Sequence, residues 1–162
     1  MKFARLAPLV VVALVGCSPS PTTAAQVADT TISTTDVQDA VAACPNVQDT
    51  PVTEPVALTM LVRTELLREV GARHDLDITD DQMLALLKQD DSVGAFLQTQ
   101  PGCAALFMPE VGSQLLSTVV PGEDALKELT AVDVQLNPRY GEWQDDQAAI
   151  AGSGSLSVPA QG

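Results

Sequence analysis

The acidic run DLDITDD, residues 75–81, is the stretch whose residue types and spacing come closest to a metal site. Carboxylates at alternating positions are typical of a calcium-binding loop between two helices. A loop that begins at Asp75 would place Asp80 where that loop needs a glycine, and Leu86 where it needs a bidentate glutamate. We therefore interpret the run as a solvated turn that leads into a helix, and we predict no metal site.

No combination of side chains predicts a catalytic centre. His74 is the only histidine, and no serine stands in a Gly-x-Ser-x-Gly motif that would indicate a nucleophile. Paired carboxylates such as Asp90 and Asp91 are adjacent in the chain where solvated acids are expected, so they do not indicate a buried acid–base pair. We predict that the protein is not an enzyme and needs no cofactor.

The N-terminus has the features of an export signal. Two cationic residues precede an apolar run from Leu6 to Val15, which is shorter than the about 20 residues needed to span a bilayer. The tetrapeptide LVGC, residues 14–17, resembles the cleavage and lipidation site of bacterial lipoproteins. This resemblance implies a signal peptide over residues 1–16 and a mature chain that begins at lipid-modified Cys17. The alternative is an ordinary secretory signal followed by an unmodified cysteine.

A lipidated Cys17 would place the protein at the cell membrane, facing the extracytoplasmic side. Two or more acyl chains anchor a protein stably, whereas one chain gives only marginal binding. In that oxidising compartment the remaining cysteines, Cys44 and Cys103, are predicted to form a disulfide. The alternative is a reactive or metal-binding pair, but the two lack a Cys-x-x-Cys spacing and only His74 is available as a further soft ligand.

The charge balance limits the class of partner. Without residues 1–16 the chain has six basic residues against 21 acidic ones, a formal net charge of −15. Such a surface is repelled by nucleic acid and by anionic lipid headgroups, and it favours basic partners. We therefore predict no nucleic-acid binding. A solvated acidic exterior, with no acidic binding site, is the plainer interpretation of the same charge.

Composition divides the mature chain into three parts. Residues 17–25 contain the lipidated cysteine and a small, polar, proline-rich stretch that predicts a flexible tether. Residues 26–143 are long enough for one domain. Residues 144–162 have no hydrophobic periodicity and predict a disordered tail.

The middle of the chain has the apolar spacing of helices. Ser33 is the predicted N-cap of a first helix that ends before Pro45, and Thr53 the N-cap of a second that runs to about His74. Thr79 opens a third helix through a capping box. Shorter helices are predicted at 92–100, at 103–118 with an interruption near Pro109, and at 122–130.

Two short segments alternate like strands. Residues 26–32 predict a small hairpin, and Val132, Val134 and Leu136 alternate with polar residues. Because a lone strand cannot satisfy its backbone, we expect the two segments to pair and close the domain at its ends. The predicted fold class is mainly α, with a small sheet that joins N- and C-terminal strands.

The stretch VQLNPRYGEW, residues 134–143, contains the only tyrosine and the only tryptophan. Arginine and aromatic residues are enriched in the energetic centres of interfaces, so Arg139, Tyr140 and Trp143 are candidate partner contacts. The alternative is that Tyr140 and Trp143 cover the core where the strand ends, with Arg139 paired to an acidic neighbour.

The order of these elements resembles the N-terminal domain family of the extracytoplasmic chaperone SurA. The resemblance lies in VADTTISTTDVQDAV (27–41), in LTMLVRTELLREVGARHDLDITDDQMLALL (58–87), and in residues 134–143, which are similar to a closing motif of SurA-like actinobacterial lipoproteins. Chaperones of this group often have a parvulin-type prolyl isomerase domain, for which this chain has no room. The resemblance therefore implies holding of unfolded exported polypeptides without catalysis.

Such a holdase needs an apolar groove that is open to solvent. The candidate lining residues are Leu58, Val62, Leu66, Met83, Leu87, Phe96 and Phe107. The alternative for each is a place in the core. A second hypothesis is a structural or scaffolding lipoprotein that binds one envelope protein through its acidic face or through residues 139–143.

Overall fold

The computed structural model describes residues 20–152. The proposed signal peptide, Cys17 and residues 153–162 lie outside this range. The helices are α1 (Thr34–Ala43), α2 (Glu54–Arg73), α3 (Asp80–Leu87), α4 (Asp91–Thr99), α5 (Ala104–Leu116) and α6 (Gly122–Thr130). The strands are β1 (Thr23–Val27), β2 (Thr30–Ser33), β3 (Asn46–Val47), β4 (Thr50–Pro51), β5 (Val134–Leu136), β6 (Glu142–Gln144) and β7 (Ala149–Ala151). The predicted fold class, mainly helical with a small antiparallel sheet, is confirmed at this level.

Side-chain caps begin three of the helices. Ser33 and Thr79 each accept a hydrogen bond from the third residue of the helix, whose own side chain accepts from the cap backbone. Asp90 caps α4 with its carboxylate. The N–H of Val93, together with the hydroxyl and N–H of Ser92, lowers the pKa of Asp90 below its ordinary value, because these donors stabilise the charged form.

The predicted pairing of the N-terminal and C-terminal strands of the domain is confirmed. The sheet order is β2-β1-β5, all antiparallel, with Gln26 opposite Thr31 on one side and Gln135 on the other. Asn137 extends the join, since its backbone N–H donates to Ala24 O and its side-chain amide donates to Thr23 O, both at 2.9 Å.

The structure corrects the expected tether. Thr23 already belongs to β1, and Ala24 and Ala25 are fully buried. The Thr23 N–H also donates to Ser20 O in a turn, at 2.8 Å. The small side chains of Ala24 and Ala25 belong to the core, so the tether cannot extend to residue 25.

The prediction of a disordered tail is also wrong for residues 144–151, which form part of a hairpin. Strand β6 pairs with β7, and Trp143 lies opposite Ile150. Both side chains pack against the core, which holds the hairpin on the domain. A second unpredicted hairpin joins β3 and β4 through Gln48 and Asp49.

Helix α2 is the centre of the core. It contacts α1, α5, α6 and β1, and it contacts α5 most extensively. Gly112 of α5 permits this close approach, because a Cβ there would lie 3.0 Å from Leu67 Cδ1. Within residues 20–152, the buried apolar side chains form one cluster. Each of the six helices contributes apolar side chains that belong to this cluster or pack against it.

Helix α5 continues through Pro109, so the predicted interruption is wrong. Because α5 begins at Ala104, Pro109 lies in its second turn and removes one backbone donor only. Its ring is buried, which adds apolar contact. Among residues 20–152, no helix combines the length and apolar character that a membrane span requires.

Candidate binding groove

A groove of about 450 Å³ is lined by residues of α2, α5, α6 and the β6–β7 turn. Its floor includes Leu66 and Leu67 of α2, and its wall includes Phe107 of α5. The remaining lining residues are Met60, Arg63, Leu106, Pro109, Glu110, Ser113, Leu129 and Ala148. The volume falls in the range of small-ligand and peptide pockets, and the lining is mostly apolar.

The groove continues past the N-terminal end of α2. A second depression of about 250 Å³ lies beside the β3–β4 hairpin and shares Met60, Leu106 and Phe107 with the first. Val56 lines it and is 45% exposed, an unusually open position for a large apolar side chain. We call the two depressions together the α2–α5 groove.

The β6–β7 hairpin borders the α2–α5 groove and is bonded to α2. The Arg63 Nε–H donates to Ala148 O at 2.6 Å, and an Nη2–H donates to Gln147 O at 3.1 Å. These bonds connect α2 to the β6–β7 turn across more than 80 residues of sequence. The Arg63 guanidinium therefore makes a structural contact beside the groove.

Most of the apolar side chains predicted to line a groove are in the core. Leu58, Val62 and Met83 are fully buried, and Leu87 is 2% exposed. Leu66 is 3% exposed, yet it lies at the floor of the groove. The prediction is therefore wrong for these four residues, because each is buried in the core.

The two phenylalanines have different places. Phe107 is half-buried and lines both depressions. Phe96 is half-buried on α4 and contacts Phe107 edge to face, with ring centroids 5.6 Å apart. Phe96 does not line the groove, and its ring instead packs against the Phe107 ring.

Arg139, Tyr140 and Trp143 do not form an open contact cluster. Tyr140 is 2% exposed. The Arg139 guanidinium lies over its ring at 4.5 Å, donates to its hydroxyl, and lies 3.8 Å from the Glu54 carboxylate. Trp143 is half-buried in β6. The alternative interpretation of these residues, as a cover for the core, agrees with this packing.

The acidic run 75–81 serves the connection between α2 and α3. Asp80 forms an ion pair with Arg68, and Thr79 caps α3. His74 Nε2 lies 2.9 Å from both carboxylate oxygens of Glu128, which ties the end of α2 to α6. In the part of the chain that the structure describes, no three His, Cys, Asp or Glu side chains are arranged to hold a metal ion.

Cys44 and Cys103 are brought together at disulfide distance. Their Sγ atoms are 1.94 Å apart, and both residues are fully buried. The bond joins the end of α1 to the turn before α5 and so fixes the N-terminal end of the helix that forms one groove wall.

The groove contains residues that the sequence did not single out. Met60, Leu106 and Leu129 are half-buried apolar residues, and Ala148 belongs to the stretch expected to be disordered. Apolar residues occur on more than one face of α2, and Met60 lies on the face opposite Leu58 and Val62. That distribution was the available indication that part of the apolar surface of α2 would stay uncovered.

Comparisons with protein-family models, with curated proteins and with solved structures give no match for this chain. The resemblance to the SurA N-terminal domain family stays a prediction based on residues 27–41, 58–87 and 134–143.

Proposed function

We propose that this protein is a membrane-anchored extracytoplasmic lipoprotein whose SurA-like helical domain holds unfolded exported polypeptides without catalysis. The observation that carries the proposal is the α2–α5 groove. It offers half-buried and exposed apolar side chains in two depressions that share Met60, Leu106 and Phe107, and an unfolded chain can use such a surface.

The dimensions of the groove suit a short peptide segment. Val56 and Leu67 are eleven residues apart on α2, about 16 Å at the rise of an α-helix. An extended polypeptide covers that length with about five residues. A segment of this size exposes two or three side chains to one face, which favours weak and sequence-tolerant binding.

The anchor would keep the groove near the place where exported chains emerge. Ser20, whose carbonyl accepts a hydrogen bond from Thr23 of the domain, is three residues after Cys17. Three residues span at most about 11 Å when fully extended. A lipid on Cys17 would therefore hold the domain close to the bilayer surface, with little freedom to move away from it.

Holdase activity is tested by aggregation of an unfolded exported protein, followed by light scattering. The chain from Ser18 onward, which lacks the lipidation site and retains β1, should suppress aggregation at near-stoichiometric ratios. An equally acidic control protein should not. Absence of suppression, together with co-purification of one stoichiometric envelope protein, would contradict the holdase and support the scaffolding alternative.

The membrane anchor is tested separately with the full chain. Replacement Cys17→Ala should release the protein from the membrane fraction into the soluble fraction. Retention of the variant in membranes would contradict lipidation at this residue while leaving the groove proposal intact.

A further inference from the structure

Acidic side chains lie in the two hairpin turns that border the α2–α5 groove. Asp49 is in the β3–β4 turn, between Val47 and Thr50, which line the groove. Asp145 and Asp146 are in the β6–β7 turn, within three residues of Ala148, which also lines the groove. All three are exposed.

A fourth carboxylate belongs to the lining itself. Glu110 of α5 is exposed, and no cationic group among residues 20–152 lies within 4 Å of it in an ion pair. The one cation in the lining, Arg63, donates to two carbonyl oxygens of the hairpin. The charged residues of the lining and of the two hairpin turns are therefore four carboxylates and one guanidinium, and the guanidinium is already hydrogen-bonded.

The charge around the groove bears on which apolar peptides it can accept. An apolar segment gains the same contacts from the groove whatever flanks it, but charged residues beside that segment come near the turns that contain Asp49, Asp145 and Asp146. Lysine or arginine at those places is attracted, and aspartate or glutamate is repelled. The net charge of −15 over residues 20–152 acts in the same direction at longer range.

We propose that the α2–α5 groove binds apolar polypeptide segments flanked by basic residues and discriminates against segments flanked by acidic ones. The inference rests on the proposed function, because it names the class of polypeptide that the same groove accepts. The apolar lining supplies the affinity, and the four carboxylates supply the selectivity.

The test uses three labelled peptides of equal length with the same apolar core of about five residues. Their flanking positions are lysine, glutamine or glutamate. Binding to the chain from Ser18 onward is measured by fluorescence anisotropy at low and high salt. We expect the lysine peptide to bind about ten-fold more tightly than the glutamate peptide at about 0.01 M salt. The ratio should fall to within about two-fold at 1 M salt, where the Debye length is about 3 Å.

A groove variant removes the four carboxylates without changing side-chain size. It is Asp49→Asn, Glu110→Gln, Asp145→Asn and Asp146→Asn combined. Asp49 has a φ of 65°, a conformation that asparagine adopts readily, so the turn should be retained. This variant should bind the lysine and glutamate peptides within about three-fold of each other, with little change for the glutamine peptide.

A matched control removes the same number of charges elsewhere. It replaces four exposed aspartates that do not line the groove with asparagine: Asp29, Asp39, Asp75 and Asp77. Asp75 has a φ of 57°, so the control also includes one turn residue in the left-handed conformation. The control variant should keep most of the ten-fold preference.

The outcomes separate this inference from the proposed function. Equal binding of the three peptides at low salt would overturn the charge selectivity and leave the holdase proposal standing. Equal loss of preference in the groove and control variants would also overturn it, because the whole surface would then be responsible. Failure of all three peptides to bind would overturn the proposed function itself.

Discussion

Val56→Ser is the substitution that examines the α2–α5 groove most directly. Complete burial of a valine side chain contributes about 1.5–3 kcal/mol relative to exposure. Val56 is 45% exposed, so a bound apolar peptide can cover roughly half of that amount, about 1 kcal/mol. Because 1.4 kcal/mol is ten-fold in affinity, we expect Val56→Ser to weaken binding about five-fold.

A matched control exists in the same chain. Val119 is 46% exposed, nearly the same as Val56, and lies outside the α2–α5 groove. Val119→Ser removes the same atoms from a similar environment, so it should leave peptide affinity within about two-fold of the unmodified protein.

The assay is fluorescence anisotropy with the glutamine-flanked apolar peptide, with circular dichroism to confirm the fold of each variant. Serine and valine have similar helix propensities, so Val56→Ser should leave α2 intact. Unchanged affinity in Val56→Ser would refute the assignment of the groove. Equal weakening in both variants would also refute it, because general surface hydrophobicity would then explain binding.

Three further predictions concern stability. Thiol labelling of the non-reduced protein should find neither Cys44 nor Cys103 free, and loss of their bond should lower the free energy of unfolding by about 4 kcal/mol in denaturant titrations; labelling of both would refute the bond. Gly102→Ala should lower the melting temperature, because its Cβ would lie 2.4 Å from a backbone oxygen of α1. In the control Gly122→Ala the new Cβ meets nothing within 4 Å, so this substitution should be neutral or stabilising. Equal effects of the two substitutions would refute the steric argument. Asp90→Asn should destabilise the protein at neutral pH, with the difference vanishing as the pH falls through the lowered pKa of Asp90; this follows because a carboxyl with a lowered folded-state pKa stabilises the fold only while ionised. A difference that persists in acid would contradict that origin.

Local chemistry made the helices predictable. Ser33 and Thr79 were expected as N-caps, and both make the reciprocal bonds of a capping box. Thr53 also precedes its helix as expected, but its side chain makes no capping hydrogen bond. Pro55 in the first turn of α2 also favours a helix start at this place. Helix starts are therefore set by residues within one turn, which a sequence contains in full.

The two unpredicted hairpins depend on interactions that are distant in sequence. In the β3–β4 turn, Gln48 and Asp49 both have positive φ, which a two-residue hairpin turn requires but glutamine does not indicate. The β6–β7 hairpin is held by Arg63 on α2, more than 80 residues away. Nothing in residues 144–151 themselves distinguishes a hairpin held by a remote arginine from a polar tail.

The position of the groove could not be predicted for a related reason. Sequence periodicity identifies which residues share a face of α2, but it does not show how much of that face a neighbour covers. Gly112 lets α5 approach so closely that it buries Leu67, and the sheet covers another part of the helix. Met60 stays half-buried and lines both depressions, with Phe107 and the β3–β4 hairpin beside it. Leu58 and Val62 of α2 therefore lie in the core, whereas the nearly buried Leu66 and Leu67 and the more open Val56 and Met60 line the groove. A partner can therefore reach this surface without disturbing the core that supports it.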